Sequence, residues 1–175
     1  KKHSGYNIAN MLDFVKPVIR RKPDLVLFHS GTNDLTDELN TMKKVKKLVK
    51  VVRELDSEQT IQLGFSSIIV REDQNYSTEI KEINDKLKRY CVSKNFLFVD
   101  NGNLNGTCLN NSKLHLNRKG SKLFSENIKK SIESLWKTEV DITNNNLPNI
   151  DVILPDWKPS IDFSDRSSID VSIEE

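Results

Sequence analysis

The sequence predicts an α/β fold in which a parallel sheet is covered by helices on both faces. Two observations carry this. Apolar residues at helical spacing alternate with short continuous apolar runs along residues 1–137, and such alternation implies right-handed crossovers between parallel strands. The run Leu25–His29 has no polar residue before its last position, as expected of a central strand buried on both faces.

The elements follow in order. Ile8, Met11, Leu12, Val15, Val18 and Ile19 recur at helical spacing, with Asn7 as N-cap and Pro17 as a kink. Pro23-Asp24 breaks that helix before the strand at Leu25. Leu39, Met42, Val45, Leu48, Val51, Val52 and Leu55 form the stripe of a second helix, with Lys43, Lys44, Lys46, Lys47, Lys50 and Arg53 on its opposite face. A second strand falls within Thr60–Val70, before a polar loop over Arg71–Asn75. A third helix carries Ile80, Ile83, Leu87, Tyr90 and Cys91, and Phe96–Val99 is the third strand. After a loop rich in Gly and Asn, residues 121–137 form a last helix with Leu123, Phe124, Ile128, Ile132 and Leu135 inward.

Composition divides the chain in two. The 175 residues have a net charge of only +2, yet residues 1–137 hold 25 basic and 16 acidic side chains, while residues 138–175 hold Lys158 and Arg166 against nine acids. The second segment also carries Asn144-Asn145-Asn146 and three prolines and sustains no period, so it reads as a disordered acidic tail. It also lowers the apolar fraction to 36%, below the usual ~45–50%. No apolar run approaches the ~20 residues that span a bilayer. Cys91 and Cys108 cannot make a disulfide framework, and neither has a partner at metal-ligand spacing. The chain opens at Lys1 without a basic-then-apolar leader, so it reads as a segment of something longer, intracellular by default.

Ligands sit at the carboxyl ends of such strands, and two segments there carry chemistry. His29-Ser30-Gly31-Thr32-Asn33-Asp34 follows the most apolar strand. Its glycine permits a tight turn and Asn33 can present an amide into a cleft, although Asn33 and Asp34 equally suit capping of the next helix. His115, in Leu114-His115-Leu116-Asn117-Arg118-Lys119-Gly120, stands between leucines before the last helix. A partly buried imidazole there suits a general base; the alternative is a packed histidine bonded to a backbone carbonyl.

Together these segments resemble the SGNH (GDSL-like) hydrolases. Pro23–Leu35 is similar to their third block, Leu114–Gly120 to the fifth, and Ser4-Gly5 followed by Asn7–Met11 to the second, in order over residues 4–137. More narrowly, the chain is similar to SGNH-type domains of retrotransposon-derived open reading frames and uncharacterised invertebrate proteins. The resemblance implies a three-layer α/β/α, flavodoxin-like sheet and cleavage of a small-molecule acyl ester without metal or organic cofactor. It makes His115 the general base, and Gly5 N–H and the Asn33 amide the oxyanion donors.

The family's first block, a strand ending in Gly-Asp-Ser, has no counterpart. Ser4 does not match the nucleophile, and Ser66 and Ser67 belong to another strand. Where the family has an Asp three residues before the histidine stands Ser112, whose hydroxyl could orient the ring; Asp100 is a conceivable substitute acid. A missing first strand would leave a central strand edge open, either in an incomplete chain or in a degenerated domain, and the chain as it stands is expected to be inactive. A reading of another class is a non-catalytic module of this fold that binds nucleic acid through Lys43, Lys44, Lys46, Lys47, Lys50 and Arg53; a solvated helix face is the plainer reading of these charges.

Overall fold

The computed structural model describes residues 7–36, 38–137 and 150–153. The chain enters through helix α1 (Met11–Arg20), whose apolar side buries Met11, Val15, Val18 and Ile19. Asn7 and Asn10 accept each other's backbone N–H, so Asn7 caps the turn that leads into the helix at Met11, and the helix then runs through Pro17 to Arg20. Lys22 takes a left-handed φ of 51° and turns the chain into strand β1 (Leu25–Phe28).

All four residues of β1 are buried. Burial of each such side chain is worth roughly 1.5–3 kcal/mol, and only a strand enclosed on both faces can collect this at every position. Helix α2 (Glu38–Leu55) leads to β2 (Gln62–Ser66), α3 (Ser77–Lys94) to β3 (Leu97–Val99), and a short 3-10 turn (Gly106–Cys108) to α4 (Arg118–Lys137). Of the expected α2 stripe Val45, Leu48 and Val52 are buried, with Val49 added, but Leu39 and Leu55 at its ends are exposed. The last helix begins three residues earlier than its apolar pattern, because Asn117 supplies its cap. The Asn117 side-chain oxygen accepts the Gly120 N–H at 2.9 Å.

The sheet is parallel throughout, in the order β3-β2-β1 with a fourth strand, β4 (Ile150–Ile153), on the far side of β1. Four residues of the segment read from composition as an acidic tail are thus a strand, in register from Leu25↔Ile150 to Phe28↔Ile153; the rest of residues 138–175 lies outside the described residues. Val26 and Phe28 face α1 and α2, in a core that Leu63, Phe65, Leu87 and Cys91 extend to β2 and α3. Leu25 and Leu27 face Val99 and Ile132, the latter on α4. The connection after β2 therefore turns to the three-helix face and the one after β3 to the α4 face. Loops that part in this way leave a crevice at the carboxyl ends of the strands.

Both cysteines are buried and unpaired, and burial pushes the Cys91 thiol up to about 12. Neither is expected to react with iodoacetamide at pH 8 until the chain unfolds in urea. Rapid native labelling of Cys91 would contradict this packing.

Candidate active site

The turn after β1 is built on Gly31, whose φ of +115° disfavours any L side chain. A Cβ there would also stand 2.9 Å from Ile68 Cδ1. Asn84 bonds the N–H and the carbonyl of Ile68, at 2.8 and 2.9 Å, and so fixes the backbone opposite this turn. Asp34 N–H closes the turn on Gly31 carbonyl at 2.9 Å.

The buried Asp34 carboxylate accepts Ile8 N–H at 2.9 Å and Lys44 Nζ at 2.6 Å. It thereby docks the chain that follows Gly5 against this turn, instead of capping α2. A buried carboxylate is tolerated because both oxygens have donors. Asn33 is exposed on the outside of the turn. Gly5 lies outside the described residues.

The second segment is a compact loop. Leu109 and Leu116 form an antiparallel bridge, Asn110 N–H donates to His115 carbonyl at 2.8 Å, and Lys113 turns through a φ of 59°. Asn117, besides capping α4, donates Nδ2 to the carbonyls of Thr107 and Leu109 at 2.9 Å each. The loop presents His115 outward. The expectation of a partly buried ring is not met: Leu114 and Leu116 are half-buried while His115 is exposed, and its ring has no hydrogen bond among the described residues. Ser112 does not orient it, because its hydroxyl donates to Asn110 Oδ1 at 2.6 Å. Asp100 accepts Gly102 N–H at 2.8 Å and lies 3.8 Å from Lys88 of α3.

Two consecutive residues after β2 tie these loops together. Arg71 Nη1 donates to Thr32 carbonyl at 2.9 Å, in the turn that carries Asn33. Its guanidinium is held by Asp73 at 2.7 and 2.6 Å and lies over the Tyr76 ring. Its hydrogen bond with Asp73 raises the guanidinium pKa and holds the Asp73 carboxyl below its ordinary value. Glu72 N–H donates to Lys113 carbonyl at 2.8 Å, and its carboxylate meets Lys113 Nζ at 3.1 Å. The Asn33 turn and the His115 loop are therefore fastened to one anchor. The sequence signal for that anchor, Arg71-Glu72 in a polar loop, is too common to single out.

Beneath these loops lies a buried polar chain that sequence reasoning missed. Asn101 Nδ2 donates to Ser66 Oγ at 2.7 Å and to Ser67 carbonyl at 2.9 Å, and its oxygen accepts Asn127 Nδ2 at 3.1 Å. Asn127 and Asn103 bond to each other in both senses. Ser66 Oγ is 3.1 Å from His29 Nδ1, the one acceptor for its hydroxyl hydrogen among the described residues. Nδ1 is then an acceptor and the ring proton sits on Nε2. Enclosure against Phe124, 4.8 Å between ring centroids, lowers the His29 pKa to about 4. Ser66 and Ser67, at 1% and 3% exposure, are structural members of this chain and closed to a substrate.

No group of three His, Cys, Asp or Glu side chains converges to hold a metal among the described residues, and no described helix is long and apolar enough to cross a membrane. The basic face of α2 is largely engaged. Lys44 binds Asp34, Arg53 binds Asp56 and the Ile61 carbonyl, Lys50 is 3.7 Å from Glu54, and Lys46 lies over Tyr90. Only Lys43 and Lys47 of the six have no such partner among the described residues.

Residues 2–123 match the GDSL-like lipase/acylhydrolase family. The chain belongs to this family. Both segments described above fall within the matched span, and the fold agrees. A GDSL-like lipase from Bacteroides thetaiotaomicron superposes with a TM-score of 0.61 at 20% identity, over 74% of this chain and 72% of that one. A carbohydrate esterase family 3 protein from Talaromyces cellulolyticus gives 0.65 at 16% identity, over 77% and 70%. A family 3 carbohydrate esterase from Clostridium thermocellum gives 0.62 at 16%, over 77% and 69%. At these identities the likeness is one of fold, so this GDSL-like domain has the fold of ester hydrolases. No curated protein matches the sequence.

Proposed function

We propose that this GDSL-like domain forms the base and oxyanion half of an acyl-ester hydrolase site. His115 is the general base, and the Asn33 amide and Gly5 N–H receive the oxyanion. The observation that carries this reading is the Arg71-Glu72 anchor, which fastens the turn bearing Asn33 and the loop bearing His115 at one end of the sheet. Both residues are exposed there, so a substrate can reach them.

The chemistry needs a serine hydroxyl supplied beside them. Its oxygen adds to the acyl carbon while its proton passes to the His115 imidazole, and the carbonyl oxygen becomes an oxyanion held by the two donors. Collapse releases the alcohol, which takes the proton from the imidazolium. Water then repeats the sequence on the acyl-serine, returning the acid and the free serine. No carboxylate partners the His115 ring among the described residues, so the imidazolium would be stabilised less than in a full triad.

The chain as given is expected to show no serine-dependent turnover of p-nitrophenyl acetate and no labelling by a serine-reactive phosphonate. A version extended ahead of Lys1 by a strand ending in Gly-Asp-Ser is expected to hydrolyse the ester. In that version His115→Ala should lower kcat by roughly 10²–10⁴, and Asn33→Ala by roughly 10²–10³. Unchanged turnover in His115→Ala would show that another group is the base.

A further inference from the structure

Asn-Gly occurs twice in the sequence, at Asn101-Gly102 and Asn105-Gly106. A glycine after asparagine leaves the backbone nitrogen between them unshielded by a side chain. That nitrogen can attack the asparagine side-chain carbon when the two are brought together. The two pairs are held in opposite ways.

Asn105 is exposed and stands just before the 3-10 turn Gly106–Cys108. Its Oδ1 accepts the Thr107 backbone N–H at 3.0 Å and the Thr107 hydroxyl at 2.7 Å. The side chain is thereby folded back over its own peptide, in a small ring that includes the Gly106 nitrogen. Both donors polarise the amide carbonyl in the sense that attack at its carbon requires. Lys119 Nζ donates to Thr107 Oγ1 at 3.2 Å, which makes the hydroxyl the better donor. Position 106 needs glycine here, because a Cβ would collide with the Glu72 carboxylate.

Asn101 has the same neighbour but is locked. It is 3% exposed, its Nδ2 donates to Ser66 Oγ and Ser67 carbonyl, and its Oδ1 accepts Asn127 Nδ2. Asn110 is the converse case. Its Oδ1 accepts the N–H and the hydroxyl of Ser112, at 3.0 and 2.6 Å, repeating the arrangement at Asn105. The residue after it is Asn111, however, whose side chain shields the nitrogen. Of the three, Asn105 alone joins a folded, polarised amide to an unshielded nitrogen.

We propose that Asn105 is a self-modification site. The Gly106 nitrogen adds to Asn105 Cγ and gives up its proton, the bond from Cγ to Nδ2 breaks, and the nitrogen leaves as ammonia with that proton. Water then opens the succinimide at either carbonyl, giving aspartate or isoaspartate. Either product brings a new negative charge to the turn, and isoaspartate also lengthens its backbone by one carbon. The Thr107 and Leu109 carbonyls hold Asn117, which caps α4 behind the His115 loop, so the change reaches the support of that loop. The proposal stands on this turn alone and does not depend on the esterase reading.

The test incubates the full chain at pH 7.5 and 37 °C beside a synthetic peptide of residues 102–109, with peptide mapping by mass spectrometry at intervals. Asn105 is expected to convert to aspartate and isoaspartate at least as fast in the chain as in the peptide, while Asn101 and Asn110 keep their amides. Thr107→Val removes the hydroxyl donor. It should slow conversion in the folded chain by roughly three- to tenfold, the worth of one hydrogen bond, and leave the rate in the peptide unchanged. If Thr107→Val does not fold, Lys119→Ala, at an exposed helix position, takes its place, with slower conversion in the chain expected. An intact Asn105 in the chain while the peptide converts, or conversion of Asn101 or Asn110 at the same rate, would overturn the proposal. So would an unchanged rate in the folded variant.

Discussion

Gly120→Ala is expected to destabilise the domain by about 2 kcal/mol, although alanine is the better helix former. The substitution improves helix propensity by about 1 kcal/mol. Against this, a Cβ at position 120 would land on the carbonyl oxygen of Cys108, with Leu116 Cδ2 at 2.9 Å and Cys108 Cβ at 3.0 Å. The oxygen belongs to backbone and accepts Asn117 N–H at 2.9 Å, so it cannot swing aside as a side-chain end would. Overpacking of this kind costs roughly 3 kcal/mol, and the clash outweighs the propensity. For a domain of this size the melting temperature should fall by roughly 4–8 °C. An unchanged or higher melting temperature would mean that the loop holding His115 is looser than its hydrogen bonds indicate. Lys122→Ala, on the exposed side of the same helix, serves as the control and should leave it nearly unchanged.

The second large effect is acid destabilisation through His29. Its pKa is lowered from 6.5 to about 4 by burial. Between those values the unfolded chain takes up a proton that the folded chain does not, so stability falls as pH drops from 6.5 towards 4 and this contribution levels off below 4. The full shift would correspond to about 3 kcal/mol; the residue is half-buried, so roughly 2 kcal/mol is expected after screening by water. Urea unfolding at pH 7.5, 6, 5 and 4 measures it. His29→Gln should flatten the curve over that interval while keeping an acceptor for Ser66. A slope identical in the variant would assign the acid sensitivity to other groups.

The sequence was legible where physics acts locally. The period of α3 and the unbroken apolar run of β1 each come from neighbours along the chain, and Ile80, Ile83, Leu87 and Cys91 are buried as their spacing requires. The candidate site's place in the fold was legible in part. Asn33 and His115 stand at one end of the sheet, but their fastening through Arg71 and Glu72 joins residues 39 and 41 positions apart, and no local pattern encodes such a contact. The His29, Ser66 and Asn101 chain was hidden for the same reason, with partners 37 and 35 positions apart. β4 escaped notice because a four-residue strand interrupted by Asp151 has no period of its own; its partner β1 supplies the order that its sequence lacks. Residue type misled at Ser112, where a nearby asparagine offered a shorter-range acceptor than the histidine three residues on.

The late arrival of β4 also bears on how the chain is made. Leu25 and its partner Ile150 are 125 positions apart. A ribosome adding roughly 5–20 residues per second would take on the order of 6–25 s to cover that distance. β2 and β3 can join β1 well before then, so during synthesis the edge of β1 that Ile150–Ile153 covers waits for the most distant pairing in the sheet. The nascent domain is most prone to mispairing in that interval, and a chaperone that holds apolar extended chain would do most good there.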